Sequence, residues 1–140
     1  MTVNARKSFV LFVCRHNTGR SQMAEAYLRH FTNGKVEVAS AGTMPAERPE
    51  PVVVQALAED GIDISLARPK LIDVAISDRA DIIITMGCDV QGVRRIDDDW
   101  GLPDPKGQPI ERVREIRDMV KTKAKALAER LQSAKLGEVP

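Results

Sequence analysis

A cysteine, an arginine and a serine in one short segment carry the clearest chemistry of this sequence. Five residues separate Cys14 from Arg20, and Ser21 follows, so that residues 14–21 read CRHNTGRS. The apolar run 9–13 before this segment predicts a buried strand, and the residues from Ser21 onward predict a helix. A loop between a strand and a helix points its backbone N–H groups at one spot, where the helix adds its positive end. The segment therefore predicts a binding site for a phosphate-like oxyanion.

Cys14 would lie at the base of this loop, where the positive field that attracts an anion also stabilises a thiolate nucleophile. Arg20 offers a planar pair of donors to two oxygens of one anion, and Ser21 can donate its hydroxyl to the thiolate. Asn17 tolerates a left-handed backbone, and Gly19 permits close approach of the backbone to a ligand. The competing interpretation of Cys14 is a small buried residue that merely ends a strand. The pattern favours function, with an oxyanion-binding set of Arg15, His16, Asn17, Thr18, Gly19, Arg20 and Ser21.

The elements that must position this loop alternate between strand and helix along the chain. The remaining pattern predicts strands over 36–40, 81–85 and 93–98, the last at a sheet edge, and helical segments over 52–60, near 72–77 and from 110 onward. The last helix is the clearest, because apolar residues recur at helical spacing from Ile110 to Leu131. Alternating strands and helices predict an α/β fold with a parallel sheet. We expect one domain over 1–140, with flexible tails at 1–7 and 136–140.

The composition narrows the possible functions. Of the 140 residues, 43% are hydrophobic and 29% charged, and 21 basic against 20 acidic residues leave a net charge of +1. This balance argues against binding to nucleic acid or to a membrane surface. No run approaches the roughly 18 apolar residues of a membrane span. Two cysteines make no disulfide framework in a chain of this size, so we expect a cytoplasmic protein whose cysteines remain thiols.

Residues 10–25 resemble the low-molecular-weight tyrosine phosphatase superfamily and, within it, the arsenate reductases of the thioredoxin-coupled type. Further segments that agree with the resemblance are 40–42, 61–65, 84–88, 100–105 and 113–118. The resemblance implies a four-stranded parallel sheet flanked by helices, with flavodoxin-like winding. It also implies conversion of arsenate to arsenite through a Cys14–arsenate adduct, for arsenic detoxification. Asp104 matches the general acid of the family, against the alternative of a plain turn aspartate.

The resemblance makes Cys88 the resolving thiol, which attacks the adduct, releases arsenite and leaves a disulfide. The competing interpretation of Cys88 is a buried structural thiol. Thioredoxin-coupled relatives carry a third cysteine shortly after this position, and the present chain has only two cysteines. Either thioredoxin reduces a Cys14–Cys88 disulfide directly, or an external small thiol attacks the arsenate adduct and Cys88 is spare. The electron donor is then thioredoxin, or glutaredoxin or a small thiol. We expect an external thiol reductant and no bound cofactor.

The potassium site of the family is matched only in part, by Asn17, Glu25 and Ser40. Arg68 and Lys70 stand where some relatives have neutral or acidic ligands, and the Lys70 ammonium could replace the ion. We therefore expect no metal.

Two other functions compete with arsenate reduction. A tyrosine phosphatase would hydrolyse phosphomonoesters through a phosphocysteine at Cys14, but those relatives line the cleft with aromatic rings, including a tyrosine just after the Asp-Pro pair. Here Lys106 and Gly107 follow that pair, and aromatic residues make up only 4% of the chain. The second is a non-catalytic oxyanion-binding module, which would not need a nucleophile, an arginine and an acid together. Because Cys14, Arg20 and Asp104 are all present, the sequence disfavours such a module. Weak phosphatase activity remains compatible with a reductase, because such a loop discriminates poorly between phosphate and arsenate.

Overall fold

The computed structural model describes residues 7–87, 90, 93 and 95–137. Its elements in chain order are β1 (Phe9–Cys14), α1 (Arg20–Thr32), β2 (Glu37–Gly42), α2 (Pro51–Ala58), α3 (Val74–Arg79), β3 (Ile82–Thr85), β4 (Asp98–Asp99) and α4 (Ile110–Gly137). Asn33 ends α1 in the left-handed conformation, which asparagine adopts more readily than most residues. The predicted amphipathic helix at the C-terminal end is confirmed as α4, in which Val113, Ile116 and Val120 are fully buried.

The four strands form one parallel sheet in the order β2-β1-β3-β4. All six residues of β1 are buried, because this strand pairs on both sides and is covered on both faces. Helices α1, α2 and α4 pack on the face that carries Val10 and Phe12. The opposite face carries Leu11 and Val13, with residues of the α3 region against it. The predicted α/β fold with a four-stranded parallel sheet is confirmed.

The fourth strand is shorter than the pattern predicts. Within the described residues of 93–98, only Asp98 has strand geometry, and it pairs as part of β4. Just before β4, the side chain of Asp97 accepts a hydrogen bond from the backbone N–H of Ile83 at 2.8 Å. Arg95 also pairs with Asp97. A carboxylate thus takes the place of a strand carbonyl, which explains why regular pairing begins only at Asp98.

Other predictions fall partly or wholly outside the described residues. Cys88 lies outside them, as do residues 1–6 and 138–140 of the expected tails; residues 136 and 137 belong to α4. No helix in the described part of the chain has the length and apolar character needed to cross a membrane.

Candidate functional site

The 14–21 loop lies at the C-terminal end of the central strand. Cys14 is the last residue of β1 and is 4% exposed, and Arg20 is the first residue of α1. Asn17 turns the loop with a φ of 55°, a left-handed conformation that asparagine adopts more readily than most residues. The predicted strand–loop–helix arrangement is therefore present.

The segment 43–50 fixes the direction of the peptide groups in this loop. Its backbone N–H groups donate to four loop carbonyls, in the pairs Thr43 to Cys14, Met44 to Arg15, Ala46 to His16 and Glu50 to Thr18, at 3.2, 2.7, 3.2 and 3.0 Å. In a trans peptide the N–H points opposite to the C=O of the same unit. Since these carbonyls face outward, the attached N–H groups face the interior of the loop. The N–H of Asn17 contacts the Cys14 sulfur itself. The N–H groups of Arg15, His16 and Gly19 are left to point towards the space above Cys14, which is the arrangement that an oxyanion requires.

The sulfur of Cys14 accepts contacts from two residues of the loop. Its Sγ lies 2.8 Å from the Oγ of Ser21, and the backbone N–H of Asn17 donates to it at 3.2 Å. The side-chain amide of Asn17 donates to the same Ser21 hydroxyl at 2.8 Å. Hydrogen-bond donors around a sulfur favour its thiolate form, which is the nucleophilic one.

Arg20 is held by backbone carbonyls from two other segments. Its Nη1 donates to the carbonyl oxygens of Met86 at 2.9 Å and Leu102 at 2.7 Å. Its Nη2 lies 3.8 Å from a carboxylate oxygen of Asp104. The guanidinium is thus fixed along one edge, and the donors that remain are available to a bound anion.

A cleft of about 180 Å³ opens over Cys14 and Arg20. This volume is below the roughly 300 Å³ at which pockets for organic ligands begin, and it suits a small inorganic anion. The described residues that line it include no Phe, Tyr or Trp; they are Cys14, Arg15, His16, Thr18, Gly19, Arg20, Glu50, Asp104 and Pro105.

The loop that carries Asp104 closes over the 14–21 loop because of a glycine. A Cβ atom placed on Gly19 would lie 2.8 Å from the Cγ of Pro105, which is too close for any side chain. The neighbour that the missing side chain admits is Pro105, whereas the predicted close approach of the Gly19 backbone to a ligand stays a prediction. Asp104 itself has a side chain that is 56% exposed, so that it reaches both the cleft and water.

Not every member of the predicted oxyanion-binding set lines the cleft. Asn17 and Ser21 are completely buried behind Cys14. Asn17 braces the loop from there, because its Oδ1 accepts a hydrogen bond from the backbone of Lys70 at 2.9 Å, and its carbonyl accepts one from the side chain of Gln22. The structure thus gives Asn17 and Ser21 positions behind the cleft, whereas Arg15, His16, Thr18, Gly19 and Arg20 line it.

Glu50 lines the cleft and was not predicted. It precedes Pro51, the first residue of α2, and its own backbone N–H holds Thr18. A glutamate before a proline is a recognisable helix start. Its approach to the cleft depends on the folding of segment 43–50 against the loop, which no local pattern reveals.

Two of the three residues that partly match a potassium site, Glu25 and Ser40, contact each other, whereas Asn17 bonds to Ser21, Gln22 and Lys70. The two carboxylate oxygens of Glu25 accept hydrogen bonds from Ser40 at 2.5 Å and from Arg29 at 2.6 Å. Across residues 7–87, 90, 93 and 95–137, no group of three or more His, Cys, Asp or Glu side chains is placed to hold a metal ion.

Comparison with known proteins places this geometry in context. A family model described as low molecular weight phosphotyrosine protein phosphatase matches residues 9–136. A putative arsenate reductase from Halobacterium salinarum is 39% identical over 115 residues, which cover 76% of this chain and 81% of that protein. A glutaredoxin arsenate reductase from Synechocystis sp. is 36% identical over 124 residues, which cover 84% of this chain and 94% of that protein.

Solved structures with this fold include both reductases and phosphatases. An arsenate reductase in its phosphate-binding state has a TM-score of 0.79 and 33% identity, covering 89% of this chain and 98% of that one. An arginine phosphatase from Geobacillus stearothermophilus has a TM-score of 0.80 and 30% identity, covering 95% and 98%. The choice between these activities therefore depends on the sequence relatives and on the cleft.

Proposed function

The chain belongs to the low molecular weight phosphotyrosine protein phosphatase family, and from this membership we propose that it is an arsenate reductase, which converts arsenate to arsenite. The observation that carries the proposal is the small cleft over Cys14 and Arg20, lined without Phe, Tyr or Trp among the described residues. An inorganic oxyanion fills such a space, whereas an aryl phosphate needs an apolar wall to hold its ring. The two arsenate reductases that match most of the chain support the same assignment.

In the first step the Cys14 thiolate attacks the arsenic of bound arsenate, and an S–As bond forms. One As–O bond breaks, and Asp104 supplies a proton so that the oxygen leaves as water. Arg20 and the inward N–H groups of the loop stabilise the charge on the remaining oxygens. Arsenic is still pentavalent in this adduct.

In the second step a thiolate attacks the sulfur of Cys14. The new S–S bond oxidises the two sulfurs, the S–As electron pair passes to arsenic, and trivalent arsenite is released. Cys88 lies outside the described residues, and its sequence neighbour Gly87 follows β3 at the same sheet edge as the 14–21 loop. We propose Cys88 or an external thiol as this second nucleophile.

The electrons come from an external thiol, with no cofactor bound to the protein. The chain has two cysteines, so a Cys14–Cys88 disulfide would be reduced directly by thioredoxin, whereas a mixed disulfide at Cys14 would be reduced by glutaredoxin or a small thiol. The relative named glutaredoxin arsenate reductase supports a thiol protein as donor. The reaction needs Cys14 as a free thiol, and we therefore place it in the reducing cytoplasm.

A coupled assay tests the proposal. Arsenate-dependent NADPH consumption is measured with thioredoxin and its reductase, with glutaredoxin and glutathione, and with a small thiol alone followed by arsenite detection. We expect the native protein to turn over with at least one donor and the Cys14→Ser protein to turn over with none of them. Cys88→Ser separates the donors, because it abolishes thioredoxin-supported turnover only if Cys88 resolves the adduct. Rapid hydrolysis of phosphomonoesters without arsenate reduction by any donor would contradict the proposal and favour a phosphatase.

A further inference from the structure

Asp99 makes an unusual number of contacts for an exposed carboxylate next to the site. Its Oδ1 accepts hydrogen bonds from the Thr85 hydroxyl at 3.0 Å, from the Gly87 N–H at 2.7 Å and from the Gly101 N–H at 3.4 Å. One oxygen thus ties the end of β3 and the segment after it to the segment that follows β4. Asp99 belongs to a run of three aspartates with Asp97 and Asp98, and such a run in the sequence indicates only a solvated acidic turn. Asp99 is exposed, as that interpretation expects, but it lies in β4 and makes these contacts in addition.

The two segments that Asp99 ties together are the ones that hold Arg20. Met86 lies between Thr85 and Gly87, and Leu102 follows Gly101. Their carbonyls both accept from the Arg20 Nη1, at 2.9 and 2.7 Å, and the N–H of Leu102 also donates to the carbonyl of Met86 at 3.3 Å. The position of the guanidinium therefore depends on the spacing of these two carbonyls.

Both segments contain a glycine with a positive φ, which makes them intrinsically adaptable. Gly87 has φ 91° and Gly101 has φ 58°, and glycine has more accessible backbone conformations than any other residue. A fixed acceptor shared by both N–H groups restricts these conformations. The Oδ1 of Asp99 is such an acceptor, because it lies within hydrogen-bond distance of both N–H groups.

We propose that Asp99 is a positioning residue for the anion site, holding the Met86 and Leu102 carbonyls at the spacing that orients Arg20. The inference rests on the proposed function, because it concerns the same oxyanion. Asp99 does not touch the substrate and acts through Arg20. This role of Asp99 requires an acceptor oxygen at one position, and the negative charge of the side chain is secondary.

Two substitutions separate acceptor position from charge. Asp99→Asn keeps an oxygen at the same distance from the backbone and loses the charge, whereas Asp99→Glu keeps the charge and displaces the oxygen by one methylene group. Phosphate affinity is measured by protection of Cys14 from iodoacetamide. We expect Asp99→Asn to bind phosphate within about threefold of the native affinity, and Asp99→Glu to bind it on the order of tenfold more weakly. Asp97→Asn and Asp97→Glu are matched controls, because Asp97 anchors the β3 backbone at Ile83 instead.

A double-mutant cycle tests whether the effect passes through Arg20. Arg20→Lys keeps the positive charge and loses the planar fork, so the carbonyl pair no longer orients a guanidinium. In the Arg20→Lys protein, Asp99→Glu should weaken phosphate binding by less than about twofold more. The inference is overturned if Asp99→Glu binds phosphate with native affinity, or if Asp99→Asn loses more affinity than Asp99→Glu. It is also overturned if Asp97→Glu loses as much affinity as Asp99→Glu, or if the effects of Asp99→Glu and Arg20→Lys are fully additive. If phosphate and arsenate fail to protect Cys14 in the native protein, the proposed function falls with it; if they protect and arsenate is reduced, only the inference about Asp99 is at risk.

Discussion

The Sγ of Cys14 and the Oγ of Ser21 lie 2.8 Å apart, and either atom can be the donor of this hydrogen bond. The side-chain amide of Asn17 donates to the same Oγ at 2.8 Å. Because a thiolate has no hydrogen to donate, the Ser21 hydroxyl is the donor in the proposed reaction. The buried Asn17 thus holds the serine whose hydroxyl stabilises the proposed thiolate.

Ser21→Ala should slow the alkylation of Cys14. Iodoacetamide reacts with thiolates, and the substitution removes one of the two donors seen at the sulfur. We expect the labelling rate at pH 7 to fall on the order of tenfold, the effect of one lost hydrogen bond to a charged group. Ser77→Ala is the matched control, because Ser77 is a buried serine of α3 whose hydroxyl has no partner among the described residues. Equal labelling rates in native protein and Ser21→Ala would contradict this role of Ser21.

Asp104→Asn should slow turnover without loss of anion binding. The substitution keeps the shape of the side chain and removes the proton donor for the departing oxygen. We expect kcat with arsenate to fall on the order of a hundredfold, the usual size of a general-acid contribution, while phosphate protection of Cys14 stays nearly unchanged. Asp98→Asn provides the same change of charge on the same side of the sheet. Loss of binding with an unchanged rate on bound arsenate would assign Asp104 to binding instead.

Glu50→Gln should strengthen anion binding. Glu50 lines the cleft, and its carboxylate opposes the approach of a negatively charged substrate. Removing this charge should raise phosphate affinity about threefold to fivefold at low ionic strength, as a moderate Coulomb repulsion near a protein surface predicts. The gain should shrink at 0.5 M salt, where such interactions are screened. Glu47→Gln removes a charge from the same segment but outside the cleft. An equal gain in phosphate affinity in Glu47→Gln would show that the effect comes from the net charge of the protein and not from the position of Glu50.

Away from the site, Tyr27 joins α1 to the residues that follow α2. It is 1% exposed, and its hydroxyl donates to Asp60 at 2.6 Å. Burial, and then the hydrogen bond to Asp60, raise the pKa of the Tyr27 hydroxyl, so that it remains a donor. The hydrogen bond from Tyr27 in turn lowers the pKa of Asp60 below its ordinary value.

Tyr27→Phe should lower the free energy of unfolding by about 1 to 2 kcal/mol at pH 7, through the loss of a hydrogen bond to a charged acceptor. Because the folded pKa of Asp60 is lowered, its stabilisation is complete above the unfolded value of about 3.9 and is lost as the pH falls through the folded value. The difference between native protein and Tyr27→Phe should therefore shrink in acid. Urea unfolding at pH 7 and pH 2.5 measures it, and an equal difference at both values would contradict the account.

Local patterns were sufficient for the elements that carry the reactive groups. The strand before Cys14, the helix after it and the left-handed Asn17 follow from residues within a few positions of one another. The positions of Glu50 and Asp99 depend on contacts between segments that are far apart in the sequence. In the sequence Asp99 is one of three consecutive aspartates, and only the fold brings the N–H groups of Gly87 and Gly101 to its side chain. The predicted strand over 93–98 overestimated the pairing because side chains there replace backbone partners.

The most direct test of the central claim is to count arsenite released per Cys14 in a single turnover. Reduced protein is mixed with excess arsenate and one equivalent of a small thiol, quenched, and analysed for arsenite and for disulfide at Cys14 by mass spectrometry. The account predicts one arsenite and one disulfide for each Cys14 in the native protein, and neither in Cys14→Ser. Arsenite formation by Cys14→Ser at the native rate, or phosphate ester hydrolysis by native protein that leaves arsenate unreduced, would contradict it.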